Sequence, residues 1–215
     1  MKFQELFPLQ VVINLDKRPD RLLLCKNQLA KINSHPIRKP GNIFQGTNNS
    51  WWNGAIGCMT SHFEILEAAA CLNTNVFIFE DDIRFFTKNP LATLKASCEE
   101  LETLEWDMFY IGGNLLKPAT QISPHLAKLT HCQSTVAYGV NKKFVPTLLK
   151  AIDLTKIHKP IDMIYADDVI PNNRCYISVP MLVIQQDSFS DIEQQEVKYS
   201  DYLEKRYWEN LIKTP

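Results

Sequence analysis

The chain has 215 residues, of which 45% are hydrophobic and 22% are charged, and its formal net charge is −1. These values are typical of a globular protein with a sizeable core. Lysine and arginine are scattered, which argues against the basic stripe of a nucleic-acid-binding protein. No apolar run approaches the length of a membrane span, and the N-terminus MKFQELFPLQ is too polar for a signal peptide. We therefore expect a cytoplasmic protein that does not bind nucleic acid.

The six cysteines show no CxxC spacing. This pattern disfavours a redox motif and a structural zinc site, so reduced and mostly buried thiols are the expectation. Asn48-Asn49-Ser50 fits a glycosylation sequon, but without a secretory signal we interpret it as a chance match.

Strand and helix patterns alternate along the chain. The predicted strands span residues 10–15, 76–79, 108–111, 135–140 and 177–184. One predicted helix follows Pro19, and a second ends near Leu72. Two more span residues 89–104 and 142–152, and a short one begins at Pro160. This alternation predicts an α/β fold in which helices flank a mainly parallel central sheet.

Three local signals refine this prediction. Residues 35–50 are rich in Pro, Gly and Asn and predict a loop. Ser61 and Glu64 have the spacing of a capping box at the start of a helix. Pro180 interrupts the last strand and indicates an edge position or a bulge, since proline has no N–H to donate to a neighbouring strand.

The C-terminal segment is expected to form its own element. Residues 1–195 are predicted to form the main domain and residues 196–215 an amphipathic helix with an aromatic and apolar face. Such a face usually packs onto its own domain, which is the interpretation we favour. Because basic residues accompany it, peripheral contact with a membrane surface is the alternative.

The most informative segment is VFIFEDDIRFF, residues 76–86, in which three consecutive acids follow a predicted strand. Ligands of α/β proteins bind at the carboxyl ends of strands. Glu80, Asp81 and Asp82 repel one another there, and a hard divalent cation is the usual counter-charge. A strand end with solvated acids is the alternative interpretation.

Four segments, in the right order, resemble glycosyltransferase family 25, the lipopolysaccharide and procollagen galactosyltransferase group. They are residues 12–21 (VINLDKRPDR), 54–62 (GAIGCMTSH), 79–85 (FEDDIRF) and, more loosely, 106–112 (WDMFYIG) followed by Ala137-Tyr138. Ala55 stands where the family commonly has an acid, so the role of that carboxylate does not carry over.

The resemblance implies a type-A glycosyltransferase fold, which is Rossmann-like, and a nucleotide-sugar donor, usually UDP-linked. Transfer would invert the anomeric carbon, with galactose as one candidate sugar and a glycan, lipid-linked or protein acceptor. The departing diphosphate develops negative charge, which Mn²⁺ or Mg²⁺ stabilises. Glu80, Asp81 and Asp82 are therefore the candidate metal ligands. Asp82 is the first choice for direct ligation, and Glu80 is also a candidate for the donor's ribose or for reaching the metal through water.

Candidate donor contacts follow the first strand. Arg18 and Arg21 lie one helical turn apart and are assigned to the nucleotide or its phosphates, the alternative being a solvated helix start. Asn14 and Leu15 are assigned to the base pocket through their backbone.

The GAIGCMTSH segment adds Ser61 and His62 to the predicted donor site. No GxSxG motif is present, so this pair does not indicate a hydrolase. A buried, hydrogen-bonded His62 and a donor-site His62 are equally good interpretations. Trp51 and Trp52 form either a stacking platform for a sugar or uracil ring or a hydrophobic anchor of the loop.

An inverting transfer also needs a general base for the acceptor hydroxyl. Asp162, in the first turn after Pro160, is the candidate, and Asp167 and Asp168 are its rivals. Each rival is more simply interpreted as a solvated acid of the same helix. Residues 185–191 follow the last strand and contain further candidates for a metal or phosphate contact.

These observations predict a metal-dependent glycosyltransferase. An inactive nucleotide- or sugar-binding module of the same fold is the alternative, because Ala55 removes a family carboxylate. A metal-dependent phosphohydrolase ranks last, since no second His/Asp constellation supports it.

Overall fold

A computed structural model describes residues 2–192, 194–198 and 211–213 of the chain. Its α-helices are α1 (Lys2–Leu6), α2 (Pro19–Leu29), α3 (Ser50–Leu72), α4 (Pro90–Leu101), α5 (Val145–Ala151) and α6 (Ile161–Ile164). A π-helical turn, Tyr165–Val169, continues α6, and short 3-10 turns occupy Ala30–Ile32 and Ile170–Asn172.

Most of the described strands belong to one central sheet. The strands are β1 (Leu9–Asn14), β2 (Ile37–Pro40), β3 (Val76–Glu80), β4 (Ile83–Phe85), β5 (Met108–Tyr110), β6 (Ala119–Ser123), β7 (Leu126–Lys128), β8 (Ala137–Val140), β9 (Cys175–Ser178), β10 (Val183–Gln185), β11 (Ser188–Ser190), β12 (Gln195–Val197) and β13 (Ile212–Lys213). The central sheet has the order β13-β6-β7-β9-β5-β8-β3-β1-β2. β4 pairs with β10, and β11 pairs with β12, in two small antiparallel sheets.

The central sheet is mainly parallel in strand direction. β1 pairs in parallel with β2 and β3, β5 with β9, and β6 with β13. The antiparallel pairs all involve β7 or β8, which run against both of their neighbours. The other strands of this sheet therefore point the same way, as predicted.

The core lies on both faces of the sheet. Successive strand residues point to opposite faces, so Val76 and Ile78 of β3 join one apolar cluster while Phe77 and Phe79 join the other. Side chains of α3, α5 and α6 complete the first cluster, and those of α1, α2 and α4 complete the second. The predicted α/β fold, a central sheet between helices, is confirmed.

The structure corrects the predicted start of the long helix. α3 begins at Ser50, and the side chain of Asn49 caps it by accepting a hydrogen bond from the backbone N–H of Trp52. Ser61 lies in the middle of this helix, so its assignment to a capping box was wrong. The predicted loop 35–50 also contains β2, which the Pro-rich and Gly-rich composition concealed.

The last predicted strand, residues 177–184, corresponds to two shorter strands that belong to different sheets. β9 lies inside the central sheet between β7 and β5, whereas β10 pairs with β4. Pro180 stands between them, beyond the last paired residue of β9, where its missing N–H removes no ladder hydrogen bond. The predicted edge position is therefore wrong for β9, whereas β10 is an edge strand of its two-stranded sheet. The short strands β6 and β7 were not predicted.

Most of the predicted C-terminal helix, residues 199–210 together with 214–215, lies outside the described residues. Glu196 and Val197 belong to β12, and Ile212 and Lys213 pair with β6, so the ends of the predicted segment are strands. The division into a domain of residues 1–195 and a helix stays a prediction. In the described ranges, no helix combines the length and apolarity that crossing a membrane requires.

A close approach of loop and helix brings the N-terminal half of α3 to the carboxyl ends of β1 and β3. A Cβ at Gly57 would lie 2.5 Å from the backbone oxygen of Asn42. Ser61, one turn later, donates its hydroxyl to the Gly57 oxygen at 2.7 Å and accepts the Asn42 N–H at 2.8 Å. The absence of a side chain at Gly57 therefore lets the loop after β2 lie directly on α3.

We expect Gly57→Ala to destabilise the protein by about 1–3 kcal/mol, because the backbone of Asn42 must shift to admit the methyl group. Gly54→Ala on the same helix is the matched control. Its methyl group meets the Ile192 side chain at 3.1 Å, and alanine has the same helix-propensity advantage there. Urea unfolding of both variants checks this, and equal stability of the two would contradict the close approach.

Candidate functional site

A cavity of about 570 Å³ opens at the carboxyl ends of β1 and β3. Its walls come from the loop after β2, the first half of α3, the acidic turn after β3, and the segments around residues 133–135, 160–163 and 185–192. The predicted site residues that line it are Asn14, Leu15, Arg21, Ser61, His62, Glu80, Asp81, Asp82 and Asp162. Arg18 lines a smaller neighbouring hollow that shares Arg21, Asp81 and Asp82 with the cavity. Fold topology thus gathers residues that are distant in sequence.

Arg21 lies between the two aspartates. Its Nη2 is 2.9 Å from Asp81 Oδ1 and 2.7 Å from Asp82 Oδ2, and all three side chains are largely buried. The counter-charge that the acidic segment requires is therefore supplied within the chain. Arg21, which the sequence assigned to nucleotide phosphates, contacts carboxylates in this structure.

The compensation of Asp82 is incomplete. Its Oδ1 is buried and has no hydrogen-bond partner, and the same is true of Arg21 Nε. Burial raises the pKa of Asp82, Arg21 lowers it, and Glu80 and Asp81 raise it, so that the net pKa is about 7. A buried carboxylate with an unpaired oxygen beside a second carboxylate fits a divalent cation with oxygen ligands.

Asn14 positions Asp81. Its amide donates to Asp81 Oδ2 at 2.6 Å and to the Arg18 carbonyl oxygen at 2.8 Å, while its own Oδ1 accepts from Arg38 Nε at 3.0 Å. The sequence assigned Asn14 a backbone role in a base pocket, and the structure adds this role for its side chain. Arg38 was not predicted, because β2 was interpreted as a loop.

Arg18 belongs to an ion-pair group around Asp191, which Arg21 Nη1 also approaches to 4.0 Å. Its Nη1 lies 2.8 Å from Asp191 Oδ2 and its Nη2 lies 3.0 Å from Asp20 Oδ2. Lys17 Nζ approaches the other oxygen of Asp191 to 2.6 Å. Among the candidates in residues 185–191, Asp191 is thus held at the cavity wall by Lys17 and Arg18, which precede α2.

Glu80 faces a different set of partners from the two aspartates. Thr135 Oγ1 donates to Glu80 Oε1 at 2.5 Å, and His62 Nε2 lies 3.4 Å from the same oxygen. Burial acts to raise the pKa of Glu80, but His62, Thr135 and Arg21 outweigh it, so the net shift is downward. The three consecutive acids therefore occupy two environments.

The two interpretations of His62 are not mutually exclusive. Its side chain is fully buried, and Nδ1 lies 2.9 Å from the Tyr138 hydroxyl, which in turn lies 3.3 Å from the Tyr165 hydroxyl. Nevertheless His62 also lines the cavity. Ser61 has a structural role in addition, since its hydroxyl joins α3 to the loop after β2.

Asp162 is the candidate base that the structure places at the cavity. Its Oδ2 accepts from the Ser134 N–H at 3.2 Å and its Oδ1 from the Met163 N–H at 2.9 Å. Burial raises its pKa, against these hydrogen bonds. The rivals Asp167 and Asp168 are exposed, pair with Lys159, and are not part of the cavity wall.

The two tryptophans open α3. Their rings stack at a centroid distance of 5.7 Å and an angle of 15°. Trp51, Phe44 and Ile43 all line the cavity. Trp51 is 37% exposed, and the other two residues are more exposed. The mouth of the cavity thus presents aromatic surface, which is compatible with the predicted stacking platform.

Comparison with known proteins identifies the family. Residues 45–169, more than half of the chain, match the family described as "Glycosyltransferase family 25 (LPS biosynthesis protein)". The chain belongs to glycosyltransferase family 25. The predicted family is therefore confirmed. The matched range contains α3, the acidic turn, Thr135 and Asp162.

A curated relative supports this family. A "Glycosyltransferase 25 family member" from Anopheles gambiae is 30% identical over 116 residues, which are 51% of this chain and 19% of that protein. The chain therefore spans about a fifth of the relative's length.

Two solved structures share a weaker likeness. One, from STIV, has a TM-score of 0.42 and 11% identity and covers 84% of this chain and 94% of that chain. The other is "a glycosyltransferase involved in the glycosylation of the major capsid of PBCV-1", with a TM-score of 0.44, 9% identity, and coverage of 79% and 81%. At these scores, neither adds to what the family match shows.

We expect Asp82→Asn to stabilise the metal-free protein at pH 8 by the order of a few kcal/mol. Because the folded-state pKa of Asp82, about 7, exceeds the unfolded value of about 3.9, folding favours the protonated carboxyl. The contribution of the protonated Asp82 carboxyl to the free energy of unfolding is complete below pH ~4 and is lost as the pH rises toward 7.

Urea unfolding at pH 5 and pH 8 in the presence of a chelator measures this difference. The gain in unfolding free energy of Asp82→Asn over the wild type should be larger at pH 8 than at pH 5. In a separate thermal melt, Mn²⁺ should raise the melting temperature of the wild type but not that of the variant. A pH-independent difference between the two proteins would contradict the assignment of an under-compensated carboxylate.

Proposed function

We propose that this protein is a metal-dependent glycosyltransferase that moves a sugar from a nucleotide-sugar donor, UDP-linked, to a glycan or glycoconjugate with inversion. The observation that carries the proposal is the buried aspartate pair at the carboxyl end of β3, inside a cavity of about 570 Å³. Such a volume lies within the usual range of small-molecule sites, roughly 300–1,000 Å³.

The aspartate pair would hold the divalent cation. Asp82 offers the unpartnered Oδ1, and Asp81 is oriented by Asn14. The all-oxygen donor set favours Mg²⁺ or Mn²⁺, which would neutralise the charge that develops on the departing diphosphate. Arg21 keeps a permanent positive charge beside the same carboxylates and can turn its guanidinium toward a phosphate oxygen, as the sequence predicts.

Asp162 would act as the general base. It lines the cavity, and two backbone N–H groups hold its carboxylate in place. In an inverting transfer it takes the proton of the acceptor hydroxyl as that oxygen attacks the anomeric carbon and the bond to the diphosphate breaks. The burial that raises its pKa makes it a stronger base than a solvated aspartate.

The rim of the cavity suits the acceptor. Trp51 and Phe44 present exposed aromatic surface on which the apolar face of a sugar ring can pack. The family makes galactose the first sugar to test, and the acceptor a glycan, a lipid-linked molecule or a protein. Peripheral contact with a membrane would bring a lipid-linked acceptor to this rim.

An inactive binding module of the same fold is the second candidate. Ala55 lacks the carboxylate that the family commonly has, and Arg21 already neutralises part of the charge of the aspartates. A protein of this kind would bind the nucleotide sugar without turnover.

Incubation with a panel of nucleotide sugars and Mn²⁺ separates the two candidates. Acceptor-dependent release of nucleoside diphosphate supports the transferase, whereas saturable binding with no release supports the module. Release of inorganic phosphate would indicate a phosphohydrolase instead. Asp82→Ala should abolish transfer while leaving the fold intact, and near-normal turnover of that variant at saturating Mn²⁺ would refute the metal assignment.

We expect Asp162→Asn to reduce kcat by roughly 10²–10⁴-fold, since the amide keeps the shape of the carboxylate but does not accept the acceptor's proton. Donor affinity should hardly change. Asp168→Asn, an exposed aspartate that pairs with Lys159, is the matched control and should retain wild-type activity. Steady-state kinetics and donor titration by calorimetry test both variants.

The pH profile provides a second readout for Asp162. Because burial raises its pKa, kcat/KM should fall on the acid side as the carboxylate protonates, at a pH above the ordinary range of aspartate. Loss of donor binding in Asp162→Asn would instead make this residue part of the donor site.

A further inference from the structure

We propose that Cys58, His62 and Glu80 form a second metal site, of the zinc class, in the wall of the cavity and distinct from the aspartate pair. Within the part of the chain that the structure describes, the sulfur, an imidazole nitrogen and a carboxylate oxygen of these residues all lie within 4.8 Å of one another. All three residues line the cavity. The inference is independent of the proposed transferase activity.

Helix geometry brings two of the ligands together. Cys58 and His62 are four residues apart in α3, so their side chains lie on one face, one turn apart. Glu80 is the last residue of β3, and the packing of α3 against the sheet places its carboxylate opposite that face. Ligands from a helix and a neighbouring strand thus converge on one point.

His62 has a free ligand atom that is completely buried. Its Nε2 makes no well-formed hydrogen bond, and its contact with Glu80 Oε1 at 3.4 Å is long. A buried polar atom without a partner costs free energy. A metal ion between the imidazole and the carboxylate would satisfy both groups at once.

The surrounding hydrogen bonds prepare the ligands for a metal. Tyr138 OH lies 2.9 Å from His62 Nδ1, so a proton on Nδ1 can be donated to this hydroxyl, which leaves the Nε2 lone pair free. Tyr138 can in turn donate to Tyr165 OH at 3.3 Å. Thr135 donates to Glu80. Metal-binding histidines and carboxylates characteristically have such supporting partners.

The donor set selects a metal of a different kind from the aspartate site. A thiolate, an imidazole and a carboxylate suit Zn²⁺ or a similar borderline ion, whereas Mg²⁺ and Mn²⁺ prefer oxygen ligands alone. Cys58 is a neutral thiol without a metal, because burial raises its pKa well above the ordinary value. On binding, its proton passes to solvent and the thiolate becomes a ligand. Three protein ligands leave a further position open to the cavity.

Cobalt substitution tests the proposal with the full chain. Chelator-treated wild type should bind stoichiometric Co²⁺ with the intense visible bands of a tetrahedral site and a near-ultraviolet thiolate-to-cobalt band. Protein purified without chelator should contain bound zinc by mass spectrometry. Absence of the thiolate band from wild type at stoichiometric Co²⁺ would overturn the proposal.

Matched variants locate the site. Cys58→Ser should lose the thiolate band, and Cys71→Ser, an exposed cysteine of the same helix, should keep it. Asp82→Asn should also keep it, because the aspartate pair is a separate site. A band that survives in Cys58→Ser would refute the assignment.

If Cys58→Ser does not fold, an alkylation experiment on the wild type tests the same site. Zn²⁺ should protect Cys58 of the wild type from alkylation, as read by peptide mass spectrometry, while Cys71 stays reactive. Equal alkylation of Cys58 with and without Zn²⁺ would count against the site.

Discussion

The repulsion among three consecutive acids at the end of β3 is the constraint on which the site depends. Asp81 and Asp82 are buried at the carboxyl end of a core strand, where an uncompensated carboxylate is costly. Arg21 of α2 neutralises part of that negative charge, and Asn14 of β1 donates a hydrogen bond to the Asp81 carboxylate. The site is therefore built by the parallel strands β1 and β3 together with α2, and Arg21 leaves part of the negative charge uncompensated.

The fold relieves the repulsion further by dividing the acids. Glu80 turns toward α3 and Thr135, while its two neighbours turn toward α2. α3 can approach because Gly57 has no side chain and Ser61 ties the helix to the loop after β2. One short acidic segment thus serves two chemically different environments, one lined with oxygen and guanidinium groups and the other with sulfur and imidazole.

Local patterns in the sequence determined much of this protein. The alternation of strand and helix signals predicted the α/β fold, because burying one face of each element leaves few arrangements of layers. The apolar strand followed by Glu80, Asp81 and Asp82 located the edge of the sheet at which the cavity lies. Four segments, residues 12–21, 54–62, 79–85 and 106–112 followed by Ala137-Tyr138, predicted the family, which the match over residues 45–169 confirms.

Only the tertiary structure decided which of these residues meet. Periodicity reports which face of an element is apolar but not what lies opposite it, so β2, the short strands β6 and β7, and the partners Arg38 and Thr135 were missed. The spacing of Cys58 and His62 was present in the sequence, yet its meaning depended on Glu80 arriving from another strand. Likewise the sequence proposed a metal as the counter-charge of the aspartates, whereas the packing of α2 against β1 and β3 placed Arg21 there. Contacts between distant segments are decided by how helices pack on the sheet, and that information is not local.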